Sequence, residues 1–139
     1  MIYLDIENGT AEERALAKEA FYFAIEKLMP RKKNLDVTIT FVDFTDSVDG
    51  YHEYIDKGEH NIELQTGLSQ EDLITVVFHE MVHVRQHERN QLKDRGVIKV
   101  WNGVEYLSLY STTEEYMSLP WEKEAYQLQE ELYNEYLSI

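Results

Sequence analysis

The segment from residue 70 to 92 constrains the fold more than any other part of the chain. Leu73, Ile74, Val76, Val77, Phe78, Met81, Val82 and Val84 recur through it at helical spacing, and its first half is apolar nearly all round. A helix of that kind is enclosed by other elements rather than laid on a surface. The rest of the chain must therefore supply its cover. His79, Glu80 and His83 lie in the same stretch, where polar groups are costly to bury without partners. Ser69, with Asp72 three residues on, marks the start of the helix.

The covering elements can be read from shorter patterns. Ile2, Leu4 and Ile6 alternate with polar neighbours and predict a strand over residues 1–7, closed by Asn8-Gly9. Thr10 and Glu13 form a capping-box signature ahead of Ala15, Leu16, Ala20, Phe23, Ala24 and Leu28, which predicts a helix over 11–29 that stops at Pro30. Val37, Ile39 and Phe41 alternate as a strand, and further strands are expected at 51–56 and 60–65. Asn102-Gly103 between the runs 97–101 and 104–107 is a hairpin signal. Residues 111–119 show no period. Pro120 then suits the first turn of a helix reaching about residue 137, with Ala125, Leu128, Leu132 and Tyr136 as its apolar stripe. The expected fold is α+β: a small antiparallel or mixed sheet packed with an N-terminal helix, the buried central helix and a C-terminal helix, in one domain spanning 1–139.

Composition excludes several classes of function. The 139 residues contain no cysteine, so a thiolate metal site or a cysteine nucleophile is ruled out and any metal would be held by His, Asp or Glu. A formal net charge of −14 opposes partners held through phosphates, and no nucleic acid or membrane partner is expected. Arg31-Lys32-Lys33 reads as a solvated helix end that complements the helix dipole. With no basic leader and no apolar span, the chain is expected to be soluble and cytoplasmic. Oligomeric state is not legible.

His79-Glu80-Met81-Val82-His83 fits the pattern His-Glu-x-x-His. Two His four apart share one helix face and can offer nitrogens to one zinc, while Glu80 can take a proton from a water at the open coordination position. A third ligand is needed. His87 would extend the row, but an unbroken helix puts it about 12 Å from His79 along the axis, too far to share a metal. It reads as a solvent-facing neighbour. Glu122 and Glu124, at the start of the last helix, are the better candidates; they differ by about 200° around a helix, so only one can face the metal.

These residues resemble the gluzincin metallopeptidases, whose site is opened by His-Glu-x-x-His and completed by a Glu on a downstream helix. The likeness covers roughly residues 60–130 and is nearest to minimal single-domain members and to ImmA-like and SprT-like small peptidases. It implies Zn²⁺ held by His79, His83 and Glu122, with Glu124 as the alternative, and Glu80 as general base in hydrolysis of a peptide or protein substrate, as an endopeptidase rather than an exopeptidase. It also implies an edge strand ahead of the active-site helix, for which residues 60–65 are placed, and a residue four after the Glu that orients a His, here Tyr126. A non-catalytic zinc-binding interaction module on the same scaffold is the alternative. A phenol that stabilises the oxyanion would come from Tyr106, Tyr110, Tyr116 or Tyr126. Trp121 is expected to pack the last helix against the central one.

Overall fold

The computed structural model describes residues 1–110 and 112–139. Strand β1 (Ile2–Glu7) leads through Asn8-Gly9 into helix α1 (Ala11–Leu28), whose start carries the full capping box: the Thr10 hydroxyl accepts from the Glu13 amide at 3.1 Å, and the Glu13 carboxylate accepts from the Thr10 amide at 2.9 Å. Strands β2 (Leu35–Val42), β3 (Gly50–Asp56) and β4 (Glu59–Gln65) follow, then helix α2 (Gln70–Glu88), opened by the Ser69 side chain accepting from the Asp72 amide. Next come β5 (Leu92–Arg95), β6 (Ile98–Trp101), β7 (Val104–Leu107), a short helix α3 (Thr113–Ser118) and helix α4 (Pro120–Leu137). The fold is α+β.

The first four strands form a mixed sheet in the order β1-β2-β4-β3, with β1 and β4 parallel to β2 and β3 antiparallel to β4. Its inner face presents Leu35, Val37, Ile39 and Phe41 from β2 and Ile62 and Leu64 from β4, all buried. Helix α1 packs Ala17, Ala20, Phe21 and Ala24 into the same core. Helix α2 lies among α1, α4 and the sheet, and every residue from Val77 to Val84 is buried, as its all-round apolarity requires. No helix among the described residues is long and apolar enough to cross a membrane.

Three boundaries differ from the sequence reading. Helix α2 ends at Glu88 rather than near residue 92, because Asn90 takes a left-handed φ of 57° and closes a Schellman turn. In that turn the Gln91 amide donates to the Gln86 carbonyl at 2.9 Å, and the Asn90 amide donates to that of His87 at 3.0 Å. Leu92, expected at the helix end, instead opens β5, which pairs with β6 as the first hairpin of a separate antiparallel sheet, β5-β6-β7. The aperiodic stretch 111–119 holds α3, capped by the Thr112 hydroxyl; Ser111 lies outside the described residues. The β6–β7 hairpin turns as expected on Asn102 and Gly103, both at positive φ.

The strand preceding the central helix is not an edge. β4 is paired on both sides, and the edges of the sheet are β1 and β3, of which β3 is the neighbour of β4. Gly50 lets that edge strand start close against α2: a Cβ there would lie 2.7 Å from Val76 Cγ1 and 3.1 Å from the Glu63 carbonyl oxygen. Lys32 is not simply solvated either, for its ammonium reaches Glu88 at 2.6 Å.

Candidate metal centre

His79 and His83 stand one turn apart on α2 with their rings 5.0 Å apart, and both direct Nε2 at the same oxygen of Glu122: Oε1 lies 2.9 Å from His79 and 3.2 Å from His83. Glu122 occupies the first turn of α4, placed there by Pro120 at the helix start, and is 5% exposed. Ligand atoms of His79, Glu80 and His83 lie within 4.8 Å of one another, and no other such group of three or more occurs among the described residues. Of the two carboxylates left open by sequence, Glu122 meets the histidines. Glu124 points elsewhere and accepts from Gln86 Nε2 at 3.1 Å.

The opposite nitrogens of the two rings fix how they can bind. His79 Nδ1 meets Gln129 Oε1 at 2.7 Å, and His83 Nδ1 meets Gln86 Oε1 at 2.8 Å. Gln86 is fully buried and its amide nitrogen is committed to the Trp121 carbonyl at 3.0 Å and to Glu124, so its oxygen must face His83 as an acceptor. Both Nδ1 atoms therefore carry hydrogen and both Nε2 atoms point their remaining valence at a carboxylate. Two neutral lone pairs and an anionic oxygen at this spacing repel unless a positive charge lies among them. Donor atoms on one tetrahedral zinc sit about 3.3 Å apart, close to the separations seen. The donor set thus fits a divalent cation. In the metal-free protein a proton supplies the charge: burial opposes it, but Glu122 overrides burial and raises His83 to about 9, while the two histidines hold Glu122 well below the usual carboxylate range against its own desolvation.

Glu80, at the same level of α2, is buried, and desolvation pushes its carboxyl above the ordinary value while His83 and His79 pull it down. The site opens onto a cleft of about 460 Å³. One wall is β3, with Gly50, His52 and Tyr54; the other is Leu92, Asp94 and Lys99 of the small sheet. Of the four tyrosines, Tyr116 of α3 lines this cleft, and burial first, then Glu122 and Glu80, push its phenol far above the ordinary range. Tyr126 instead packs its ring against His79 at 4.6 Å; Gln129, not Tyr126, takes the His79 Nδ1 hydrogen.

Trp121 packs against Trp101 and Tyr106 and so anchors the small sheet to α4, while its carbonyl ties α4 to α2 through Gln86. One further expectation is corrected. His87 is outside the cluster, as helix geometry requires, but it is half-buried, stacked on Tyr54 at 5.0 Å and on His52 at 5.1 Å. Sequence reasoning missed Gln86 and Gln129. Their only local signal is position, Gln86 three residues after His83 and Gln129 seven after Glu122, each on the face that the candidate ligand on its own helix presents. No family model, curated protein or solved structure matches the chain.

Proposed function

We propose that the chain is a zinc-dependent peptidase of the gluzincin kind, acting in the cytoplasm on a peptide or protein substrate. The observation that carries this reading is the convergence of His79 and His83 Nε2 on one oxygen of Glu122, with the Glu80 carboxylate buried beside them and a cleft leading in. Zinc, when bound by His79, His83 and Glu122, supplies the Lewis acidity that makes water reactive near neutral pH.

The chain's own residues do the rest. Gln129 and Gln86 hold both imidazoles in the tautomer that leaves Nε2 free to bind. Glu80 takes the proton of the attacking water and passes it to the departing amine; its raised pKa suits both transfers, because a base poised nearer neutrality is also a competent acid. Tyr116, kept protonated by its surroundings, is the cleft phenol able to donate to the oxyanion.

The test is direct. The purified protein should carry about one zinc per chain and cut unstructured peptides, and Glu80→Gln should keep the metal while lowering the rate by about 10²–10⁴-fold. Undiminished hydrolysis in that variant sinks the role of Glu80. Stoichiometric zinc with no peptide cut favours the non-catalytic interaction module instead.

A further inference from the structure

Beside the candidate centre lies a chain of buried polar groups that it does not use. His60 of β4 is fully buried, and its Nε2 lies 2.7 Å from Glu88 Oε2 at the end of α2. Its Nδ1 lies 2.8 Å from His52 Nε2 on the neighbouring strand β3. His52 in turn lines the cleft together with Glu80 and His83, its ring 6.1 Å from that of His83. The row runs from the protein interior to the cleft wall: Glu88, His60, His52.

Hydrogen-bond logic sets the direction of every bond in that row. Glu88 collects the Gly58 amide at 2.9 Å, the Lys32 ammonium at 2.6 Å and His60, so it acts as an acceptor throughout and His60 Nε2 must carry hydrogen. Lys32 already balances the carboxylate charge, and burial lowers the His60 pKa, so the ring is neutral and its Nδ1 is a bare acceptor. His52 must then donate through Nε2, which leaves its own Nδ1 without hydrogen. Among the described residues that atom has no protein partner. The ring cannot readily turn away, since it is stacked on His87, which is itself stacked on Tyr54.

A bare, oriented acceptor on the wall of a cleft selects a donor. Along a peptide the donor present at every residue is the backbone N–H, and β3, which carries His52, is an edge strand of the mixed sheet and the one that lines this cleft. We infer that His52 is a substrate-contacting residue that accepts a hydrogen bond from one backbone N–H of the bound peptide through Nδ1, with His60 and Glu88 as the residues that position it. This inference rests on the peptidase reading for its substrate; the orientation of the row does not.

Two measurements separate those parts. In ¹⁵N-labelled wild-type protein loaded with zinc, imidazole correlation spectra should show His52 and His60 as Nε2–H tautomers, and Glu88→Leu should leave both with mixed tautomers. An Nδ1–H signal for His52 in the wild type overturns the inference. In hydrolysis assays, a peptide series methylated at one amide nitrogen at a time should contain one member whose KM rises about 5–10-fold, the worth of one neutral hydrogen bond. In His52→Phe that methyl group should no longer matter, whereas His52→Gln, which still offers an acceptor, should restore part of the discrimination. Methylation penalties that are the same in wild type and His52→Phe overturn the inference, because a merely structural His52 would leave them unchanged. A wild-type protein that binds zinc, shows the expected tautomers and cuts no peptide overturns the proposed function, and with it the peptide contact, while the oriented acceptor stands.

Discussion

Gln86 Oε1 accepts the Nδ1 hydrogen of His83 at 2.8 Å, and the same side chain donates to the Trp121 carbonyl and to Glu124, so one buried amide joins His83 of α2 to the turn of α4 that carries Glu122. Replacing it with Met keeps the volume and removes all three bonds. Partners that orient a ligating His typically contribute 10–100-fold to metal affinity. Gln86→Met should therefore weaken zinc binding by about that factor, measured by competition with a chromophoric chelator. The far-ultraviolet circular dichroism of the variant should remain that of the wild type. Unchanged affinity would mean that packing alone holds His83 in place.

The two acidic residues at the start of α4 should part company when tested. Glu122→Gln removes the anionic oxygen shared by both imidazoles and should lower zinc affinity by at least about 100-fold, consistent with the loss of a ligand rather than of its support. Glu124→Gln touches only the far side of Gln86 and an Arg85 contact at 3.8 Å, and should change affinity by no more than about 10-fold. Isothermal titration of each variant with zinc decides the order. The reverse order would move the ligand assignment to Glu124.

A metal bound by His79, His83 and Glu122 would compete with a proton for the same atoms, which would give its binding a pH dependence. In the metal-free protein His83 is raised to about 9 by Glu122, so below that pH zinc must displace a proton. Apparent affinity should rise about tenfold per pH unit between roughly pH 6 and 8 as one proton is released. The stability of the metal-free protein runs the other way. A raised histidine contributes fully below its unfolded value of 6.5, and that contribution is lost as the pH rises through about 9. Chemical denaturation of the metal-free protein at pH 6 and at pH 9.5 should show the difference, and Glu122→Gln should flatten it.

What the sequence made legible was whatever is encoded locally. Helix α1 is announced by Thr10 and Glu13, the β6–β7 hairpin by Asn102-Gly103, and the buried helix by apolar residues on all its faces. The pairing of His79 and His83 on one face follows from a four-residue spacing on one helix. Features that depend on which segments meet were not legible. The placing of β4 between β2 and β3 is a choice of partners across the chain, and nothing in residues 59–65 distinguishes an inner strand from an edge. Gln129, His52 and His60 gain their roles only from residues on other elements, and Gln86, which meets His83 on its own helix, is oriented by Trp121 and Glu124 of α4. The end of α2 at Glu88 turned on one residue, Asn90, taking a left-handed conformation that Asn tolerates but does not require.

Gly50 tests whether the cleft wall is held by close packing. It begins β3 and lines the cleft, and an added Cβ would meet Val76 Cγ1 at 2.7 Å and the Glu63 carbonyl oxygen at 3.1 Å. The β-branched Val76 has little freedom to turn aside on a helix, so the strand must shift outward. Gly50→Ala should cost about 1–3 kcal/mol of stability by overpacking. Val76→Ala alone removes partly buried methyl groups and should also destabilise, but in the double variant it vacates the space that the new Cβ needs. The two changes should therefore be less than additive by at least about 0.5 kcal/mol, the coupling expected of residues in contact. Urea denaturation of the wild type, both single variants and the double variant closes the cycle. Strict additivity would mean that the strand yields without strain and that Gly50 is not needed for its approach to α2.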